Sequence, residues 1–145
     1  MRVKKKVLLL GPAYPYRGGI ADTQNYLAQN LSRLGHEVLV YTFKYQYPKL
    51  LFPGKTQYSS VPMPKGIDIK RKIHSINPIN WIKISNEINH YDPDIVLFRY
   101  WTPFLAPCWI WIAKRLSSKI KKIALVDNWI PHDKKPWDKT MNDLF

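Results

Sequence analysis

The sequence holds a single cysteine, Cys108, which excludes an internal disulfide and any zinc centre built on cysteine pairs. Cys108 sits in the apolar run FLAPCWIWIA, where the expected state is a small buried thiol, since a reactive one needs an electropositive surround. His36, His74, His90 and His132 share no metal-ligand spacing, so no metal is expected, and no Ser/His/Asp arrangement is legible. No apolar run approaches the roughly 20 residues that cross a bilayer. The longest candidate, Trp101 to Ala113, contains Pro103 and Pro107. The opening MRVKKKVLLLGPAYP has a basic start like a signal peptide, but four aliphatics then meet Gly11-Pro12 and no small-residue cleavage site follows. A cytoplasmic location is therefore expected. Acidic side chains are scarce: 10 Asp and Glu stand against 23 Lys and Arg, for a formal charge of +13. Between Val38 and Tyr91 only Asp68 and Glu87 occur. That imbalance calls for an anionic partner or surface. Nucleic acid is set aside, because no recognition module is visible; anionic lipid headgroups and phosphorylated substrates remain.

What is present reads as alternating strands and helices over one domain's length. VLLL (7–10) is a short apolar run closed by Gly11-Pro12, as expected of a strand buried on both faces. Ile20, Gln24, Leu27, Ala28, Leu31 and Leu34 then fall on helical spacing, Gly35 supplies a stop, and HEVLVYTF restarts as a strand. Lys44 to Lys65 has four prolines and neither periodicity, so a long surface excursion is expected. IDIKRKI (67–73) is the third strand. Asn77 and Pro78 open a helix whose face is Trp81, Ile84, Ser85 and Ile88; DIVLFRY is the fourth strand. Thr102-Pro103 opens a further helix through CWIWIAKRLSSK, KIALVDNW is the fifth strand, and a polar segment follows. The pattern predicts an α/β domain with a doubly wound parallel sheet and helices on both faces. No internal repeat or low-complexity segment is present.

Ligands in such sheets collect beyond the carboxyl ends of the strands. That rule selects GPAYPYRGG, RYWTP and DNWIPHD, which also hold the oddest residues of the chain. Gly18 and Gly19 stand just before the first helix, where backbone amides favour an anion, and Arg17 adds a guanidinium. The spacing matches neither a dinucleotide fingerprint nor a P-loop, and a plain tight turn accounts for it equally. Arg99 with Tyr100 and Trp101 suits a sugar or phosphate, although the rings also suit packing against the next helix. Asp127, Asn128, His132 and Asp133 offer hydroxyl-orienting or acid–base groups, with a surface histidine as the bland reading of His132.

Together, LLLGPAYPYRGGIADTQNYLAQNLSRLGHEVLVYTF, FRYWTPFLAP and ALVDNWIPHDKKP closely resemble the N-terminal domain of glycosyltransferase family 4, the retaining enzymes of GT-B fold. The resemblance spans nearly the whole chain and implies a Rossmann-like domain, one half of that architecture. It implies transfer of a hexose from a nucleotide-sugar to an acceptor hydroxyl, as in cell envelope polysaccharide synthesis, without a metal or further cofactor. Gly18 and Gly19, with Arg17, would meet the donor diphosphate; Tyr16, Arg99, Trp101 and Asn128 would face the acceptor. Family members often carry a histidine after the fifth strand that contacts the donor sugar. Here that place holds Asp127, with His132 five residues on, and these two are the catalytic candidates. The family's C-terminal domain bears most of the nucleotide pocket and a pair of glutamates, and residues 1–145 do not include it. The expectation is an acceptor-side half, incomplete in its last helices, that needs a C-terminal partner protein and leaves the last strand's apolar face uncovered.

Two other readings stand beside it. One is a non-catalytic binding module for an anionic membrane surface or a glycan, in line with the basic, aromatic-rich composition. The other is a nucleotide-binding reductase, which requires an acidic residue at the end of strand two; VYTFKYQ has none.

Overall fold

Short apolar runs make the central strands, the edge strand DIKRKIH being largely charged, and amphipathic segments between them make the helices. The computed structural model describes residues 3–48, 57–129 and 135–145. The strands are β1 (Lys6–Leu10), β2 (Glu37–Tyr45), β3 (Asp68–His74), β4 (Ile95–Tyr100) and β5 (Lys121–Val126). They form one parallel sheet in the order β3-β2-β1-β4-β5. Between them lie α1 (Gly19–Arg33), α2 (Pro78–Tyr91) and α3 (Ala106–Arg115), and α4 (Asp138–Leu144) follows. This is the α/β, Rossmann-like architecture expected.

Alternation along β1 divides the core. Val7 and Leu9 pack with Val40 and with Ala28 of α1 on one face. Leu8 and Leu10 join Tyr41, Phe43, Phe98 and Trp109 on the other, under α2 and α3. The helix ends follow local chemistry. Leu34 caps α1, Gly35 has φ 92°, and the Gly35 and His36 amides donate to the Ser32 and Leu31 carbonyls at 2.9 and 3.1 Å. That is the left-handed stop anticipated for Gly35, and it leaves Leu34 half exposed instead of on the buried stripe. The Asn77 side chain caps α2 by accepting from the Ile79 and Asn80 amides.

Some expectations need adjusting. Strand β2 runs on to Tyr45, which stacks on His74 with ring centroids 4.6 Å apart, so the excursion begins later than Lys44. Part of it, residues 49–56, lies outside the described residues. A short 3-10 turn at Pro103–Leu105 precedes α3 and places Pro107 within its first turn. β5 ends at Val126, before Asp127. α4 was read only as a polar segment. It is held by tertiary contact: Phe145 stacks on Tyr100 at 4.1 Å, and the Tyr100 hydroxyl donates to Asn142 Oδ1. Leu125 and Val126 of edge strand β5 are 37% and 40% exposed.

Candidate functional site

The strand order places β1 between β2 and β4, so the chain winds outward through β2 and β3, then returns to β4 and β5. The crevice where the direction reverses lies beyond the carboxyl ends of β1 and β4. Gly11 follows β1 there, and Arg99 lies near the end of β4. A β-carbon on Gly11 would come within 2.6 Å of Arg99 Cβ and 3.2 Å of Gln24 Nε2. The glycine is thus what allows the Arg99 side chain to cross the end of β1.

Arg99 is 5% exposed. Its Nε and Nη2 donate to the two carboxylate oxygens of Asp127 at 2.5 Å each, a bidentate pair between neighbouring strand ends. Nη2 also donates to Thr23 Oγ1 at 2.9 Å, and that hydroxyl donates to the Gly19 carbonyl at 2.8 Å. One guanidinium therefore ties the end of β5 to the first turn of α1. Beside it Gln24 is fully buried, and neither of its amide atoms has a hydrogen-bond partner.

The glycine loop is anchored by the Ala13 amide on Thr42 Oγ1 at 3.0 Å and the Tyr14 amide on Asn25 Oδ1 at 3.2 Å. Gly18, with φ 113°, caps α1 without any side-chain bond. A β-carbon at Gly18 or Gly19 would meet nothing within 4 Å, so the space beside these two glycines is open. Arg17 is exposed next to them. Asp22 stands in the same first turn, so attraction for an anion at this end rests on Arg17 and the uncapped amides.

Tyr16 turns inward. It is 4% exposed, donates its hydroxyl to the Phe43 carbonyl at 3.1 Å, and burial raises its pKa. Its backbone bridges antiparallel to Tyr58, with the Arg17 amide donating to Gln57 and the Ser59 amide to Pro15. Arg71 braces the pair. Its guanidinium lies over both rings and donates to the Phe43 and Lys44 carbonyls and the Tyr58 hydroxyl. Trp101 is half-buried, donates Nε1–H to the Tyr47 hydroxyl at 2.6 Å, and meets Phe43 edge-on at 6.1 Å. Burial pushes the Tyr47 pKa up to about 12. Asn128 is exposed beyond β5.

Of the sequence-derived candidates, Arg17, Gly18 and Gly19 share the open start of α1, and Arg99 and Asp127 meet each other. Trp101 and Asn128 follow the ends of β4 and β5, Tyr16 belongs to the packing beneath the loop, and His132 lies outside the described residues. Sequence reasoning missed Thr23, Tyr47, Tyr58 and Arg71 as parts of the candidate site. Gln24 carried a signal, a long amide on the apolar stripe of a helix. Among the described residues no group of three or more His, Cys, Asp and Glu could hold a metal ion, and no helix is long and apolar enough to cross a membrane.

The sequence matches a family model. The model of glycosyltransferase family 4 matches residues 17–144, from the arginine of the glycine loop to the end of α4. The chain belongs to glycosyltransferase family 4. Comparison with curated proteins returns no match. Membership assigns the family 4 domain to glycosyl transfer, with a sugar donor and an acceptor as substrates. The matched span contains three of the elements that meet at the crevice, the start of α1, the end of β4 and the end of β5, while β1 and Gly11 precede it.

Proposed function

We propose that this family 4 domain is the acceptor-side wall of a retaining hexosyltransferase, acting with a C-terminal donor-binding domain. The donor is a nucleotide-sugar and the acceptor a glycan or lipid-linked hydroxyl, with an anionic membrane surface close by. The observation that carries this reading is the relay from Asp127 through Arg99 and Thr23 to Gly19, which fixes three strand and helix ends around one crevice. Gly18, Gly19 and Arg17 would receive the donor diphosphate at the open start of α1. Asp127, both of whose oxygens already accept from Arg99, is suited to orient a substrate hydroxyl through a remaining lone pair. Trp101 and Asn128 flank the same opening, and His132 is the further catalytic candidate.

The test supplies labelled UDP-glucose, UDP-N-acetylglucosamine and GDP-mannose with membrane-extract acceptors, using the chain alone and with a family 4 C-terminal domain in trans. Transfer is expected only with both, with the donor's anomeric configuration kept in the product. Arg17→Ala should raise the donor KM about tenfold, the scale of one hydrogen bond to a charged group. Transfer by the chain alone, inversion at the anomeric carbon, or no transfer with any donor would each overturn the proposal.

A further inference from the structure

We propose that the flank of the sheet between α2 and β3 holds a binding site for a nucleoside monophosphate, apart from the crevice. Two pockets adjoin there. The wider, about 500 Å³, is lined by Tyr41, Lys72, Asn86, Glu87, His90 and Tyr91. The narrower, about 110 Å³, is lined by Lys44, Arg71, Lys72, Lys83 and Glu87, among others. Lys72 and Glu87 belong to both linings and pair at 2.5 Å, so this ion pair stands where the pockets meet. A planar ring in the wide pocket and an anion in the narrow one, joined by a short linker, match that layout. A nucleoside monophosphate has those parts in that order.

The wide pocket offers ring contact and hydrogen bonds. Tyr91 is fixed at both ends: its hydroxyl donates to Glu37 Oε1 at 3.0 Å, and the Lys6 ammonium lies 4.0 Å over its ring. The Lys72 ammonium stands 5.3 Å from the centre of the Tyr41 ring. Burial raises the pKa of both phenols, so neither adds a negative charge. Asn86 and His90 are exposed one turn apart on α2. A carboxamide beside an imidazole can donate to and accept from the edge of a base. The narrow pocket is basic. The Glu87 bond to Lys72 raises the lysine pKa and keeps it charged, and Arg71 spends its guanidinium on two carbonyls and the Tyr58 hydroxyl. Among the described residues no ion pair engages Lys44 or Lys83. Four positive charges against one negative leave +3 at this spot, which suits a phosphate. Glu37 opens β2 and Lys6 opens β1, so the wide pocket lies toward the amino ends of the strands. Gly18 and Gly19 lie beyond the carboxyl ends, and the site is therefore separate from the place proposed for the donor diphosphate.

The inference does not depend on the proposed function, and its test reads binding instead of transfer, so either can fail alone. AMP, GMP, CMP and UMP are titrated into the chain by calorimetry, with amide NMR spectra of the isotope-labelled chain locating the contact. At least one should bind with a Kd below about 1 mM and shift the amides of Lys72 and residues 86–91. The matching nucleoside and ribose 5-phosphate should each bind at least about tenfold more weakly, since each lacks one half of the contact. Lys44→Gln with Lys83→Gln should weaken the nucleotide about tenfold and leave the nucleoside unchanged. Asn86→Ala with His90→Ala should weaken both about tenfold. Arg33→Gln with Lys65→Gln, on the α1 side and equal in charge removed, should stay within about twofold. Binding of none of the four, ribose 5-phosphate binding as tightly as the nucleotide, amide shifts confined to residues 11–19, or an equal loss in the control pair would overturn the assignment.

Discussion

Asp127→Ala isolates the ion pair that organises the crevice. The Arg99 side chain is only 7% exposed, whereas that of Asp127 is 25% exposed. Removing the carboxylate leaves a buried guanidinium that keeps the Thr23 hydroxyl and loses both charge-assisted bonds. Stripping one partner from a buried pair costs about 3–5 kcal/mol. Water can reach the vacated place through the opening Asp127 occupied, so the lower end, about 3 kcal/mol, applies. The reverse change, Arg99→Met, keeps a long apolar stem across Gly11 and leaves a carboxylate that water can rehydrate. Its cost should be about 1–2 kcal/mol. The two single changes are therefore unequal, and the double variant should be about as stable as Arg99→Met alone, because the costly orphan no longer exists. Urea unfolding followed by tryptophan fluorescence reads this directly. With a slope of about 2 kcal/mol/M, Asp127→Ala should lower the midpoint by about 1.5 M and Arg99→Met by about 0.5–1 M. Additive costs, or an Asp127→Ala chain as stable as the parent, would show that the pair does not hold the strand ends together.

Gly11→Ala should destabilise the fold by about 1–3 kcal/mol, the scale of overpacking at a site that cannot yield. Its new methyl meets Arg99 Cβ at 2.6 Å, an atom fixed to the backbone of β4, and a fall in thermal midpoint checks it. Asp94 gives a pH test. The Lys6 amide, and after it the Lys5 side chain, hold its carboxyl below the usual 3.8. A depressed folded pKa contributes stability that is present above the unfolded value and lost as pH falls through the folded one. The gap in urea midpoint between the parent and Asp94→Asn should thus be constant from neutral pH to about 5 and close below about 4. A gap that persists in acid refutes the ionic origin.

Much of the fold was legible because it is written in short range. Strand β1 is an apolar run ended by Gly11, α1 shows its stripe and its glycine stop, and α2 announces itself with Asn77 and Pro78. What escaped is held by distant contacts. DKTMNDL has no apolar stripe, yet it forms α4 because Tyr100, Trp129 and Phe145 hold it through Asn142 and a ring stack. Residues 57–59 look like loop, yet they return as an antiparallel partner of the glycine loop because Arg71, on the edge strand, holds Tyr16 and Tyr58.

The candidate site illustrates the same limit more sharply. Arg99 and Asp127 were each conspicuous: an arginine within an apolar strand, and a carboxylate just past the next strand. Each alone points to a ligand. In parallel register β4 pairs Arg99 with Leu125 and Tyr100 with Val126, and the Asp127 amide donates to the Tyr100 carbonyl. That register brings the carboxylate to the guanidinium, and it follows from the sheet, not from the spacing of 28 residues between them. Two odd polar residues at neighbouring strand ends should be tried against each other before either is given to a substrate. Under the proposed function the pairing does not remove them from the site; it changes their work. A carboxylate locked in a bidentate pair holds its orientation without help from a ligand. Fixed polar groups that need no rearrangement are what a transfer site requires at the point where a hydroxyl must be held. The exposed groups of this crevice are elsewhere, at Arg17 and Asn128, and those are the positions where substrate selectivity should respond to substitution without loss of fold.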